Sequence, residues 1–328
     1  MENAVKTIGI LTSGGDAPGM NAAIRASVRR ALGQGIQVKG VLEGYRGLIT
    51  DKVVDMTARD VSDIIQKGGT VLHTARCAEM RTEKGVKKAV ETCRKHGIEG
   101  LIVIGGDGSF AGARELSHHG LCVIGVPGTI DLDIACTEYT IGFDTAVNTA
   151  LDAIDKVRDT SASHERVSII EVMGRNAGYI ALWCGIASGS EDILLPENYD
   201  YDEERIIDNI IKGRKNGKNH HIIINAEGIG HSTAMAKRIE AATGIETRAT
   251  ILGYMQRGGS PTCRDRMYAS IMGSNAVDLL RDGKTNRIVV FQNGKFTDCD
   301  IDEGLAMNKE FPAEQYAISR ALSYNYKK

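Results

Sequence analysis

Three times before residue 134 a short apolar run stops at a turn rich in glycine. Ile8 to Leu11 runs into Gly14-Gly15-Asp16, Leu101 to Ile104 into Gly105-Gly106-Asp107, and Cys122 to Val126 into PGTIDLD, Pro127 to Asp133. Runs this short, apolar throughout and bounded by turn residues, read as strands buried on both faces. Helical patterns separate them, from about Asn21 to Leu32 and from Glu83 to His96, with a further strand at Val38 to Leu42 and a helix near Val61. Strands that alternate with helices need crossover connections, so the expected class is α/β: mainly parallel sheets with helices on both faces. Gly35, Gly97 and Gly120 fall just past helical patterns, where a left-handed C-cap is wanted. Three strand tips then share one sheet edge, the edge at which open α/β sheets bind ligands.

The chain's 328 residues exceed one ordinary domain. After a helical stretch from Thr145 to Arg158, a second set of strands follows at Val167 to Val172, Ile193 to Leu195, Ile222 to Asn225 and Thr250 to Leu252. The late strand Ile288 to Phe291 and its helix, about Asp265 to Leu280, match the first domain's units better than the second's. The expected division is therefore 1–142 plus 256–306 for one domain and 143–255 plus 307–328 for the other.

Composition removes several classes of function. With 40 basic against 42 acidic residues the formal charge is -2, which speaks against a general nucleic-acid binder. No run of 18 apolar residues occurs, so no membrane span is expected. The seven cysteines form no CxxC pair and do not sit near histidines at zinc-finger spacing, which reads as free thiols in a reducing, cytoplasmic setting.

Each turn has a chemical reading beside a plain one. In GGDAPGMNA, Gly14 to Ala22, glycine lets a charged ligand approach the backbone while the following helix aims free N–H groups at anionic oxygens; a tight βα turn needing glycine only for sterics is an equal alternative. GGDGS, Gly105 to Ser109, adds Asp107, a hard oxygen ligand for Mg2+, with a helix-capping role for Asp107 or Ser109 as the lesser alternative. In TIDLD an extended backbone sends Thr129, Asp131 and Asp133 to one side. Two carboxylates so placed suit proton removal from an alcohol, and a pair of Asx turns is the plain reading. Arg76, Arg166, Arg175, Arg248 and Arg257 lie at or near strand ends, and guanidinium groups match phosphate oxygens bidentately.

Taken together, the motifs resemble those of bacterial-type ATP-dependent 6-phosphofructokinases. The resemblance is carried by TSGGDAPGMNAAIR (12–25), GGDGS (105–109), PGTIDLDI (127–134), YTIGFDTA (139–146), DTSASHER (159–166), EVMGRNAGY (171–179) and ETRATILGYMQRGGSP (246–261). It implies two Rossmann-like three-layer domains, one for nucleotide and one for sugar phosphate, with the active site in the cleft between them, and a homotetramer. It makes Asp131 the base for the sugar 1-hydroxyl, supported by Thr129 and Asp133. Asp107 holds Mg2+, Gly15, Gly106, Asp107, Gly108 and Ser109 meet ATP in a region that Cys77 adjoins, and Arg76 and Arg175 neutralise the transferring phosphoryl group. Met173, Gly174 and Glu227 match sugar-binding positions, Tyr254 and Arg257 the 6-phosphate end, and Arg166 and Arg248 arginines given across a subunit boundary. Arg25, Arg29, Asp63, Arg158, Glu191 and Lys218 match an effector site for ADP or phosphoenolpyruvate, where Ala58 and Asn216 replace common basic residues.

Three departures stand out against that pattern: Leu132 in the usual TIDND, Tyr254 in the usual LGH, and Cys77 in place of an aromatic. Two other readings are a pyrophosphate-dependent or altered-substrate kinase of the same family, against which Gly108 and Gly128 speak, and a weakly catalytic regulatory paralogue. A dinucleotide-binding oxidoreductase is disfavoured because no GxGxxG follows the first strand.

Overall fold

The structure is a computed structural model that describes residues 5–197 and 202–323; the remaining parts of the expected domain spans lie outside the described residues. Its first elements are β1 (Thr7–Thr12), α1 (Met20–Gly33), β2 (Gln37–Val41), α2 (Gly44–Ile49), β3 (Val53–Met56), α3 (Glu83–Lys95), β4 (Gly100–Gly105), α4 (Asp107–His118), β5 (Cys122–Thr129) and β6 (Ile141–Gly142). Then come α5 (Phe143–Ser163), β7 (Val167–Val172), α6 (Tyr179–Ser188), β8 (Asp192–Leu194), α7 (Glu203–Lys215), β9 (His221–Ala226), α8 (Ser232–Thr243) and β10 (Thr247–Ile251). The chain closes with α9 (Cys263–Arg281), β11 (Arg287–Gln292), β12 (Lys295–Asp300), α10 (Ile301–Ala306) and α11 (Ala313–Leu322).

Two compact units result. One holds the described residues through Ile130, then Ile134–Thr145 and Arg257–Lys309; the other holds Asp131–Asp133, Ala146–Gln256 and the described chain from Glu310. The first unit's sheet runs β12-β11-β5-β4-β1-β2-β3, with β6 paired to the tip of β5. It is parallel from β11 to β2, and antiparallel β3 and β12 close its two edges.

Alternate strand residues feed two layers. Leu101 and Val103 join a core with Tyr45, Leu48, Val86, Cys93, Phe110 and Leu116 from α2, α3 and α4, while α1 and α9 pack on each other and on β1, β4 and β5. Their approach is close: a Cβ on Gly273 would stand 2.5 Å from the Ala23 carbonyl oxygen, and the Ser27 hydroxyl donates to the Gly273 carbonyl.

The second unit's sheet, β10-β7-β9-β8, is parallel throughout. Its core joins Val167, Ile169 and Ile223 to Ile206, Ile210, Met235 and Ile239 of α7 and α8, with α6 against β8 and β9. The expected α/β class with mainly parallel sheets is therefore observed.

Three local expectations need correction. No helix forms near Val61; residues 58–63 make successive turns. The Asp60 carboxylate takes both the amide and the hydroxyl of Thr57, and Asp63 adopts φ 53°, so local side-chain bonds compete successfully with a helical ladder. The strand expected at Thr250 to Leu252 is β10, which begins earlier at Thr247. Neither Asp107 nor Ser109 caps α4: Gly106 is its N-cap, without a side-chain bond. All seven cysteines are free, and burial pushes the thiols of Cys93, Cys136 and Cys184 up to about 12, which makes them poor nucleophiles. Among the described residues no helix is long and apolar enough to cross a membrane.

Candidate active site

In the first unit β5, β4 and β1 are adjacent and parallel, so the three turns read from sequence do meet at one sheet edge. The Ser13 amide donates to the Ile104 carbonyl at 2.9 Å. A Cβ on Gly105 would come within 2.6 Å of the Ser13 carbonyl and 2.4 Å of the Ser109 hydroxyl, so only glycine fits there. Gly106 stands beside Thr129, and Gly108 faces open space on the exposed first turn of α4. Gly128 differs: a side chain there would press on Ile104 and Met20 at 3.0 and 3.2 Å, so it is a packing glycine.

Asp107 is exposed at the start of α4, where the helix dipole favours an anion. Ser109, two residues on, is buried. The segment carrying Arg76 is pinned to the first turn, because the Thr74 hydroxyl donates to the Gly14 carbonyl and the Thr12 hydroxyl to the His73 carbonyl, both at 2.8 Å. Arg76 is exposed, whereas Cys77 packs against the unit's core. Arg257 lies directly on Gly15: its Nη1 donates to the Asp16 carbonyl at 3.1 Å and would stand 2.4 Å from a Cβ at position 15. Arg257 and Gly15, expected on different substrates, are thus neighbours.

The TIDLD loop is not extended. Leu132 takes φ 55°, a left-handed conformation that breaks the period-two alternation, so Asp131 is buried while Thr129 and Asp133 are half-buried. Asp133 stands by Tyr179, whose hydroxyl is pushed up to about 12 by burial first and by the nearby Glu197 and Asp133 carboxylates.

In the second unit the chain turns sharply after β7. Gly174 has φ 141° and Arg175 φ 56°, and one Glu227 oxygen accepts both their amides at 3.2 and 2.5 Å. A non-glycine residue held in that conformation marks local strain of the kind found at ligand sites. The Gln256 side chain, fully buried, accepts the Met173 amide at 2.8 Å. Met173, Gly174, Arg175 and Glu227 therefore gather at the C-terminal edge of this sheet.

Arg166 and Arg248 do not join them. Arg166 precedes β7 and Arg248 is the second residue of β10, both at the opposite edge. Glu246 faces both, at 3.7 Å from Arg166 and 2.8 Å from Arg248, and the buried Arg166 Nε has no hydrogen-bond partner. Tyr254 is 81% exposed on the 3-10 turn Gly253–Arg257.

Of the proposed effector residues, Glu191 pairs with Lys218 and also accepts the Ile222 amide, while Arg158 donates to the Ser188 carbonyl at 2.6 Å. Arg25 and Arg29 lie one turn apart on α1, and Asp63 is in the turns before residue 64. Sequence reading did not single out Gln256, whose side chain holds the Met173 amide, or Asp265, whose carboxylate accepts the amide of Gly142 beside Thr129. The first lies inside the QRGGSP motif, where attention goes to the arginine, and the second carries no local signal.

Comparison with known proteins gives a consistent result. The profile of the family described as phosphofructokinase matches residues 7–280. A protein of Clostridium botulinum (strain Hall) named ATP-dependent 6-phosphofructokinase is 56% identical over 319 residues, 97% of this chain and 100% of that one. Its namesake from Clostridium acetobutylicum is 57% identical over 320 residues, with the same coverage of 97% and 100%. The Pichia pastoris phosphofructokinase in the T-state superposes with a TM-score of 0.86 at 32% identity, over 98% of this chain but 39% of that longer one. The pyrophosphate-dependent phosphofructokinase of Marinobacter aquaeolei shares the fold, with a TM-score of 0.85 at 22% identity over 94% of this chain and 86% of that one. A family profile that spans most of the chain, and relatives more than half identical along nearly all of it, place this protein in the phosphofructokinase family.

Proposed function

We propose that this protein transfers the γ-phosphoryl group of ATP to the 1-hydroxyl of fructose 6-phosphate, giving fructose 1,6-bisphosphate and ADP in the glycolysis of the cytoplasm. The observation that carries the reading is full-length identity of 56% to proteins named ATP-dependent 6-phosphofructokinase. The open space at Gly108 supports ATP over pyrophosphate, since it leaves room at the nucleotide turn.

In this reading Asp131 takes the proton from the 1-hydroxyl as its oxygen attacks phosphorus, with Thr129 and Asp133 orienting the alcohol. Arg76 and Arg175 spread the charge of the transferring group. Backbone amides of Gly15 and of 106–109 hold the nucleotide's phosphates. Asp107 suits Mg2+: its carboxylate is exposed in the first turn of α4 and offers hard oxygen ligands. Mg2+ held with the phosphates neutralises charge that develops on them. Met173, Gly174 and Glu227 bind the sugar. Serving the 6-phosphate takes Arg257 off the Asp16 carbonyl, and Tyr254 donates one hydrogen bond there.

Arg166 and Arg248 complete a neighbour's sugar site in a homotetramer, because they stand at the wrong sheet edge for their own chain. Arg25, Arg29, Asp63, Arg158, Glu191 and Lys218 form the effector site for ADP or phosphoenolpyruvate. A coupled assay offering fructose 6-phosphate with ATP, then with pyrophosphate, tests the reading: turnover with ATP and Mg2+ is expected, and activity only with pyrophosphate overturns it. Asp107→Ala should raise the Mg2+ concentration needed for half-maximal rate; an unchanged titration removes Asp107 from the metal.

A further inference from the structure

Asp265, in the first turn of α9, is fully buried, and its carboxylate collects one short stretch of chain far away in sequence. One oxygen accepts the Tyr139 hydroxyl at 2.6 Å and the Gly142 amide at 2.7 Å; the other accepts the Thr145 amide at 2.9 Å and the Thr145 hydroxyl at 2.5 Å. A carboxylate has about four acceptor sites, and donors fill all of them. Burial pushes the carboxyl up from its usual range, and these same bonds oppose the shift. The Thr262 amide donates in turn to the Thr145 hydroxyl at 3.0 Å, which locks the start of α9 to the stretch.

That stretch contains β6, which sits in register with the last two residues of β5: Ile141 beside Gly128 and Gly142 beside Thr129. A strand of two residues cannot hold its register by ladder bonds alone. The same stretch also abuts the first glycine turn, since a Cβ on Gly142 would stand 2.7 Å from Ala17 and one on Gly19 2.7 Å from Ile141.

We infer that Asp265 is a positioning residue for phosphoryl transfer: through Gly142 and Thr145 it fixes β6, β6 fixes Thr129, and Thr129 sets where the chain delivers Asp131 two residues later. The inference rests on the proposed role of Asp131 as base. Asp265→Asn replaces one acceptor oxygen by an NH2 group facing two donors, so either the Gly142 or the Thr145 bonds must break.

The test compares three variants of the full chain. Asp265→Asn should lower kcat by about 10²-fold, the cost of misplacing a catalytic group by roughly 1 Å, with the KM values for ATP and fructose 6-phosphate nearly unchanged. Val277→Ala, a buried change twelve residues and about 18 Å further along the same helix, should lower the melting temperature while keeping kcat per folded enzyme. Deuterium uptake of the amides in 127–142, measured without substrate, should rise in Asp265→Asn and not in Val277→Ala. Equal kcat losses in the two variants, or unchanged uptake in 127–142, overturn the inference. Should Asp265→Asn fail to fold, Tyr139→Phe removes one of the four bonds and is expected to cost about 2- to 10-fold in kcat with faster exchange at Gly142; normal kcat and exchange there overturn it equally. If the wild-type chain does not phosphorylate fructose 6-phosphate at all, the proposed function falls, and the exchange measurement alone still decides whether Asp265 holds the loop.

Discussion

The two edges of the second unit's sheet carry similar charges and opposite organisation. At the C-terminal edge the backbone of Gly174 and Arg175 is bent into left-handed and strained conformations and tied down by Glu227, so its polar groups are fixed before any ligand arrives. At the N-terminal edge Arg166 and Arg248 hang from an ordinary strand start, share one exposed carboxylate, and leave a buried guanidinium nitrogen unsatisfied. Six residues of β7 at about 3.3 Å each separate the edges by about 20 Å. A small ligand that meets Met173 and Glu227, as proposed for the sugar phosphate, is therefore out of reach of the same chain's Arg248. One edge is held in a fixed geometry by its own chain; the other presents two arginines around a single carboxylate, and the proposed function gives them to a neighbouring copy.

The sharpest way to probe that contrast starts with Asp131, the proposed base. Asp131→Asn should fold normally and lose turnover by roughly 10²- to 10⁴-fold, measured by steady-state kinetics; near-normal turnover removes it as the base. Arg248→Ala should next raise the KM for fructose 6-phosphate by about 10- to 100-fold, as expected for loss of a charge-assisted bond. Mixed oligomers of these two weak variants should regain activity, since some sites then receive the arginine from one chain and the base from the other. Verified hybrids that stay inactive mean that each chain builds its own site, and the contrast between the edges collapses.

The smallest effect is expected at Tyr254. Tyr254→His should lower the KM for fructose 6-phosphate by a few fold near pH 6 and leave kcat within a few fold, the pattern of an interaction equal in ground and transition states. The gain should fade as pH rises through the imidazole's titration, because only the protonated ring adds a charge. A raised KM at pH 6 means that the phenol suits this site better than a cation.

What the sequence made legible was whatever local chemistry controls. The strand cores, the parallel order implied by crossovers, and the glycine C-caps at Gly35, Gly97 and Gly120, with φ of 76°, 65° and 86°, all follow from neighbouring residues. The edge strands β3 and β12 are partly exposed and polar, so no apolar run announced them. The turns around Val61 were misread because the local bonds of Thr57 to Asp60 outweigh the periodic pattern, and Leu132 because an extended backbone was expected where the chain turns left-handed. Leucine at φ 55° is a choice that propensity argues against. Asp265 was invisible as the acceptor that gathers Tyr139, Gly142 and Thr145 because these partners are near it only in the folded chain.

The interrupted first unit also imposes a timetable on synthesis. Its sheet lacks β11 and β12, and its α1 lacks the partner α9, until the chain past residue 300 has left the ribosome, whereas nearly all of the second unit's sheet and helices come from the single stretch Ala146–Gln256. The later stretch is therefore the first that can finish folding on its own. Until then the nascent N-terminal half carries β5 with an unpaired edge and α1 with an uncovered apolar face, the kind of surface that recruits chaperones or aggregates. A nascent chain arrested far enough beyond Gln256 for that residue to have cleared the exit tunnel should show a protease-resistant second unit beside a sensitive first one.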